Sequence, residues 1–287
     1  MYEMLSSLLA PPSPHVDHQL IAPTLSRMST IKRSPKSGND WTPTDLFAYN
    51  IRVVYQDSAS FFGVTDLPNP QVEDEILVAR DAARTQHDDS YTLLRTMELA
   101  QATAHGQESA VTDFLVALFR TLRYTGRHEG RIARTRKDLR FWICGKERYA
   151  KTDVCIIDEV PDILLVVQED KRHLHRSDPE PQLIAQAIAA FHRNYMTRVR
   201  GYGLPGPTST VMPGITIKGT MPTFYKIPVT ADLVRAVQLG EYPQQETVVY
   251  AHVPAVPRPA RRYDEGMQPL DNRRIILSCF EAFKHFL

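Results

Sequence analysis

The sequence predicts an α/β protein built on a mixed sheet with helices on its faces. Three observations point there. Glu108 to Leu122 (ESAVTDFLVALFRTL) places Val111, Phe114, Leu115, Leu118 and Leu122 on one helical face. Three strand-like runs follow within about fifty residues. A long helix opening at Pro179 then leads to further strand-like runs. Helix, three strands, helix, strand is the order of a layered α/β sandwich.

Each element has its local reason. Thr42-Pro-Thr-Asp45 is a helix start, with a capping residue and a proline in the first turn. Leu46, Phe47, Ile51 and Val54 then fit one helical face, and Val72–Ala83 and Ser90–Thr103 also read as helices. Leu139 to Gly145 alternates, with Leu139, Phe141 and Ile143 on one face and Arg140, Trp142 and Cys144 on the other. Asp153–Asp158 is a second strand, and Glu159-Val-Pro-Asp162 a turn. Ile163–Lys171 is a third strand, whose run of five apolar residues suits a central position covered on both sides. Pro179 opens a helix to about Val199. Strands follow near Gly214–Lys218 and Thr223–Val229, then a helix at Ala231–Leu239. Prolines after Tyr242 suggest loops wrapping the core, closed by a helix at Arg274–Phe286. Residues 1–41, rich in Ser, Pro and His, are expected to be a flexible tail, 42–104 a helical extension packed on the core, and 105–287 the α/β core with a C-terminal wrapping segment.

A chain of 287 residues with 43% hydrophobic and 23% charged residues has the composition of a globular protein with a sizeable core. The net charge of +1 selects no partner, but its distribution is uneven. Arg120–Lys151 holds eleven Lys/Arg against three acids, a local excess suited to phosphates or to an ordinary solvated face. Three cysteines form no complete set of pairs and no metal knuckle, which favours a reducing compartment. No run reaches the roughly 18 apolar residues of a membrane span, and the first ten residues lack the basic start of a secretory signal. The expectation is an intracellular protein, cytoplasmic or nuclear, with no membrane partner and no indication of oligomeric state.

The chemistry gathers at one end of the meander. Period-two geometry puts Glu169 and Lys171 on one face of the third strand, and Asp153 begins the strand beside it. Charges at the end of an apolar sheet are costly unless they pair or hold a metal. Asp153 and Glu169 offer the hard oxygens that Mg²⁺ or Mn²⁺ prefers, the carbonyl of Asp170 could add another, and Lys171 could orient water or steady charge developing on phosphorus.

Asp153, a hairpin, and Glu169-Asp170-Lys171 together resemble the signature of the PD-(D/E)xK (restriction-endonuclease-like) nuclease superfamily, whose core is an αβββαβ unit. The resemblance covers roughly Glu108 to Val229. It implies phosphodiester hydrolysis of DNA or RNA with Mg²⁺ or Mn²⁺, and Asp153, Glu169 and Lys171 as the catalytic centre. Glu108, at the start of the first core helix, would be a further metal ligand, with Gln107 as the nearby alternative. Gln182 or Gln186, on the helix after the third strand, would touch substrate or metal-bound water. Thr152 stands where the superfamily's name has proline. The wording around the motif also resembles a group of fungal proteins of unassigned activity.

Arg172 and His173, in the Lys-Arg-His-Leu-His-Arg run after the strand, are substrate-binding candidates or a solvated edge. Gly201–Gly206 lacks the Gly-Lys-Ser of a phosphate-cradling loop. Phe224-Tyr225 reads as core. Two rival expectations remain beside the nuclease. One is a non-catalytic module binding nucleic acid or protein on the same fold; Asp153, Glu169 and Lys171 could also be no more than a structural cross-strand salt bridge. The other is a metal enzyme acting on a small molecule.

Overall fold

The computed structural model describes residues 33–102, 109–170 and 178–287, all within one compact unit, Arg33–Leu287. Helix α1 (Pro43–Ala48) leads into β1 (Ile51–Tyr55), α2 (Ser58–Phe62), α3 (Asp74–Val78) and α4 (Asp88–Gln101). Then α5 (Ala110–Thr121) precedes β2 (Ile132–Ile143), β3 (Lys146–Ile157) and β4 (Ile163–Glu169). Helix α6 (Pro179–Met196) continues into a π-helical turn, Thr197–Tyr202, before β5 (Ser209–Lys218), β6 (Met221–Thr230) and α7 (Ala231–Leu239). The chain closes with β7 (Thr247–His252), α8 (Arg262–Glu265) and α9 (Leu270–Phe283).

The strands form one mixed seven-stranded sheet in the order β1-β7-β6-β5-β4-β3-β2. The expected meander is present, with β2 antiparallel to β3 and β3 to β4, but β2 and β3 each start seven residues earlier than expected, so Asp153 lies within β3 and does not begin it. The chain then crosses through α6, so that β5 lies parallel beside β4. One face buries Val154, Ile156, Leu165, Val167, Ile215 and Phe224 against apolar residues of α4, α5 and α9. The other buries Cys155, Val166, Tyr225 and Ile227 against Leu183, Ile184, Ala187 and Ile188 of α6. Burial on both faces explains why β4 is almost continuously apolar.

Several expectations need correction. Ile51–Tyr55 is a strand, parallel to β7, and not a continuation of the preceding helix. Asn50 takes φ 53°, the left-handed turn that Asn tolerates, and the β-branched run behind it extends. Residues 42–104 are therefore no purely helical extension: β1 belongs to the sheet, and Leu93, Leu94 and Met97 of α4 belong to its core. Thr247–His252, expected as wrapping loop, is β7, because prolines flank the run and do not interrupt it. Val72–Ala83 holds only the short α3 and a single 3-10 turn at Ala82–Arg84. Residues 33–41, assigned to the tail, pack: Trp41 is 1% exposed and stacks on Tyr49, and Ser37 Oγ donates to the Tyr149 carbonyl at 2.9 Å. Gly38 lies so close to β3 that an added Cβ would sit 2.5 Å from the Ala150 Cβ.

His252, 3% exposed at the end of β7, stacks on Phe61 and shares a hydrogen bond with the Gln56 carbonyl at 3.0 Å. Burial pushes its pKa below the ordinary 6.5. The unfolded chain therefore takes up a proton near pH 6.5 that the folded chain still refuses, so stability should fall as the pH drops from 7 toward 5.5. Glu75, lowered to about 2 by the neighbouring Ser90 hydroxyl and by the N–H groups of Gln86 and His87 that it accepts, acts in a more acidic window, below its ordinary 4.5. Urea midpoints at pH 7 and 5.5 should show a smaller drop for His252→Gln than for the native chain. Equal drops would place the effect on other groups, His192 included.

Candidate functional site

At Asp153 the regularity of β3 breaks. The register runs Thr135 opposite Val154 and Lys137 opposite Thr152, dropping the pair Arg136 and Asp153 between them, and Arg136 has φ 49°. Ala150 packs on the α6 side of the sheet, whereas Val154 packs on the α5 side. One residue is skipped on each strand, so the register is kept and only this pair opens, and the change of face there re-aims the Asp153 side chain.

The released Asp153 carboxylate reaches β4. Its Oδ2 accepts the Glu169 backbone N–H at 2.8 Å and the Gln168 Nε2 at 2.9 Å. Gln168 also donates to the Glu169 carbonyl at 3.1 Å, and its Oε1 accepts from Gln186 Nε2 on α6. Gln186 donates in addition to the Lys151 carbonyl at 2.9 Å. An amide relay from α6 through β4 thus fixes the acid on β3. Gln182, one turn earlier and also buried, makes no side-chain hydrogen bond among the described residues, so of the two glutamines Gln186 is the one that reaches the site.

The strap at residues 33–41 supports the same place. β4 ends at Glu169, so β3 before Asp153 has no partner from β4. Asn39 takes that role, accepting the Lys151 N–H at 2.8 Å and donating to its carbonyl at 3.4 Å. Neither Asn39 nor Gln168 stands out in the sequence. Asn39 sits in a stretch without period, and Gln168 becomes visible only once the register sets it beside Asp153.

Glu169 is 8% exposed and Asp170 4%, and the Asp170 N–H donates to the Ile217 carbonyl at 2.7 Å. The structure therefore brings Asp153 to the head of the Glu169-Asp170-Lys171 run. Lys171, Arg172, His173, Gln107 and Glu108 lie outside the described residues. Among the described residues no group of three or more His, Cys, Asp or Glu gathers as a metal site. The carboxylates of Asp153 and Glu169 are hard-oxygen donors of the type that suits Mg²⁺ or Mn²⁺, and Glu108 would be the third.

A cavity of about 340 Å³ opens beside this network, lined in part by Asp170, Thr216, Glu180, Tyr55, Tyr225 and Lys218. Thr216 is the β5 partner of Gln168, so cavity and relay share one sheet end. Glu180, in the first turn of α6, accepts from the Tyr55 hydroxyl at 2.8 Å and the Tyr225 hydroxyl at 3.1 Å. Burial, with the Glu180 charge adding to it, pushes Tyr55 up to about 12 and Tyr225 well above its ordinary range. Both hydroxyls stay protonated and act as donors. Phe224 is core, as expected, while Tyr225 is buried with its hydroxyl at this cavity.

Among the described residues no helix is long and apolar enough to cross a membrane. No protein-family model matches the chain, and no curated protein matches its sequence.

Proposed function

We propose that this chain is a metal-dependent phosphodiester hydrolase with a restriction-endonuclease-like core, acting on nucleic acid. One observation carries the reading: where the β2–β3 ladder opens at Asp153, its carboxylate reaches across to β4 and accepts the N–H of Glu169, the first residue of Glu-Asp-Lys. The order α5-β2-β3-β4-α6-β5, with β3 antiparallel and β5 parallel to β4, supports it as an αβββαβ unit.

On this reading Asp153 and Glu169 hold Mg²⁺ or Mn²⁺, with Glu108 as a further ligand. The ion supplies Lewis acidity and a lowered pKa for bound water. Lys171 orients the attacking water and steadies charge on the phosphoryl oxygens. Gln168 and Gln186 hold the Asp153 carboxylate in one orientation. The test is cleavage of single- and double-stranded DNA and RNA with Mg²⁺, Mn²⁺ or chelator, alongside Mn²⁺ binding by calorimetry. Metal-dependent cutting that chelator stops supports the reading, and metal binding without cutting of any nucleic acid would replace it. The cavity favours, in that event, a metal enzyme for a small molecule.

Gln186 gives a sharper check. Gln186→Leu removes the amide that holds Gln168 against Asp153, and loss of such an outer partner costs about 10- to 100-fold in metal affinity. We expect Mn²⁺ binding to weaken by at least about 10-fold. Affinity unchanged in a folded Gln186→Leu variant would remove the relay from the account.

A further inference from the structure

The basic stretch Arg120–Lys151 sorts itself into cations with partners and cations without. Arg120 pairs with Asp89 at 3.5 Å and Arg140 with Glu147 at 3.6 Å. Arg131 donates to the Leu287 carbonyl, and Arg148 to the carbonyls of Pro35 and Glu147. The other seven have no side-chain hydrogen bond or ion pair to any described residue, and among these Arg134 and Lys137 lie near Arg193 of α6, which has none either. Arg193 does not belong to the stretch, yet it joins the same place.

Arg134 pairs across the ladder with Cys155 and Lys137 with Thr152, on either side of the opened pair at Asp153. Helix α6 packs over β2 and β3 here. Arg193 lies seven residues beyond Gln186, two helical turns or about 10 Å along the same stripe of α6. Its Nε is buried without an acceptor. Burial lowers the Lys137 pKa, and the charges of Arg193 and Arg134 lower it further, against a small opposing effect from Cys155. Three like charges therefore gather with no carboxylate paired to any of them among the described residues.

Such a cluster is unfavourable alone and is relieved by a bound anion. Guanidinium groups match the planar spread of phosphate oxygens, and a lysine adds a point charge. We infer that Arg134, Lys137 and Arg193 form a phosphate-binding cleft that grips the backbone of a nucleic-acid strand whose neighbouring phosphate lies at Asp153 and Glu169. This rests on the proposed hydrolase reading for the choice of a polymer over a free anion.

The test is binding of fluorescent single- and double-stranded DNA and RNA oligonucleotides across a salt series, with chelator present so that no cleavage occurs. Lys137→Gln/Arg193→Gln should bind about tenfold or more weakly, and its slope of log affinity against log salt should be shallower by about 1.4–1.8, the value for two phosphate contacts. Lys146→Gln, at the exposed hairpin end, is the control and should change the slope by less than half of that. Removing like charges relieves repulsion, so the double variant should melt no lower than the native chain. Should it misfold, Arg134→Gln/Lys137→Gln replaces it with the same expectation. An unchanged slope in a folded double variant, an equal loss in the control, or no binding by the native chain overturns the inference. Salt-dependent binding lost in the double variant, with no cutting under any metal, would keep the cleft and reject the hydrolase.

Discussion

Asp153→Asn should reduce metal-dependent cleavage to below detection while leaving the chain folded. Asparagine keeps an oxygen that can accept the Glu169 N–H, so the variant removes charge and little else. Asp153→Ala would leave that N–H unpaired, which costs about 1–3 kcal/mol and confuses a lost ligand with a weakened fold. Glu169→Gln should behave like Asp153→Asn, and both should lower Mn²⁺ affinity. Lys171→Ala is different, because an ammonium group is not a ligand. Metal binding should persist, and loss of one preorganised charge should cost about 100- to 1,000-fold in rate, leaving a faint activity that the acid variants lack. Cleavage by Asp153→Asn equal to that of the native chain, with the same chelator sensitivity, would move the chemistry elsewhere.

The core order was legible because its signals are periodic and local. A helix of period 3.6, one alternating run and two short apolar runs needed no knowledge of the partner strands. The missed strands show where that ends. In β1 the apolar positions Ile51 and Val54 are three apart and extend a helical stripe begun at Leu46, so periodicity alone favoured the wrong element. What decides it is the left-handed turn at Asn50 and the parallel edge offered by β7, a partner nearly two hundred residues away. The β7 run is short and lies among prolines, which masked a clear β-branched pattern.

The candidate site divides in the same way. Asp153 and Glu169 were readable from residue type and spacing. Gln168, Asn39 and Arg193 were not, since their roles depend on register and on where α6 crosses the sheet. The alternation that sets Glu169 and Lys171 on one face of the strand sets Gln168 on the other. That placement puts it within reach of both Asp153 and Gln186.

Arg273→Ala should destabilise the fold by about 3–5 kcal/mol, the range for removing one member of a buried charged arrangement. The side chain is fully buried near the start of α9. Burial pushes its pKa down to about 10, so at neutral pH it remains a cation. It is compensated by backbone carbonyls: Nη1 donates to Ile76 at 2.8 Å and Ala79 at 2.7 Å, Nε to Met267 at 3.1 Å and Nη2 to Gln268 at 3.2 Å. Two of these acceptors lie at the C-terminal end of α3, where helix carbonyls lack partners and a cation is favoured. Arg273 therefore ties α3 and the Met267–Gln268 segment to α9, three pieces of chain with no ladder between them. Alanine would leave those carbonyls buried without donors and a cavity where the guanidinium stood. Lysine keeps the charge but not the planar fork, and should recover part of the loss. Urea unfolding of the three proteins decides it, with the midpoint falling most for Arg273→Ala at an unchanged slope. A loss under about 1 kcal/mol, the scale of an ordinary surface change, would mean that water replaces the guanidinium at those carbonyls.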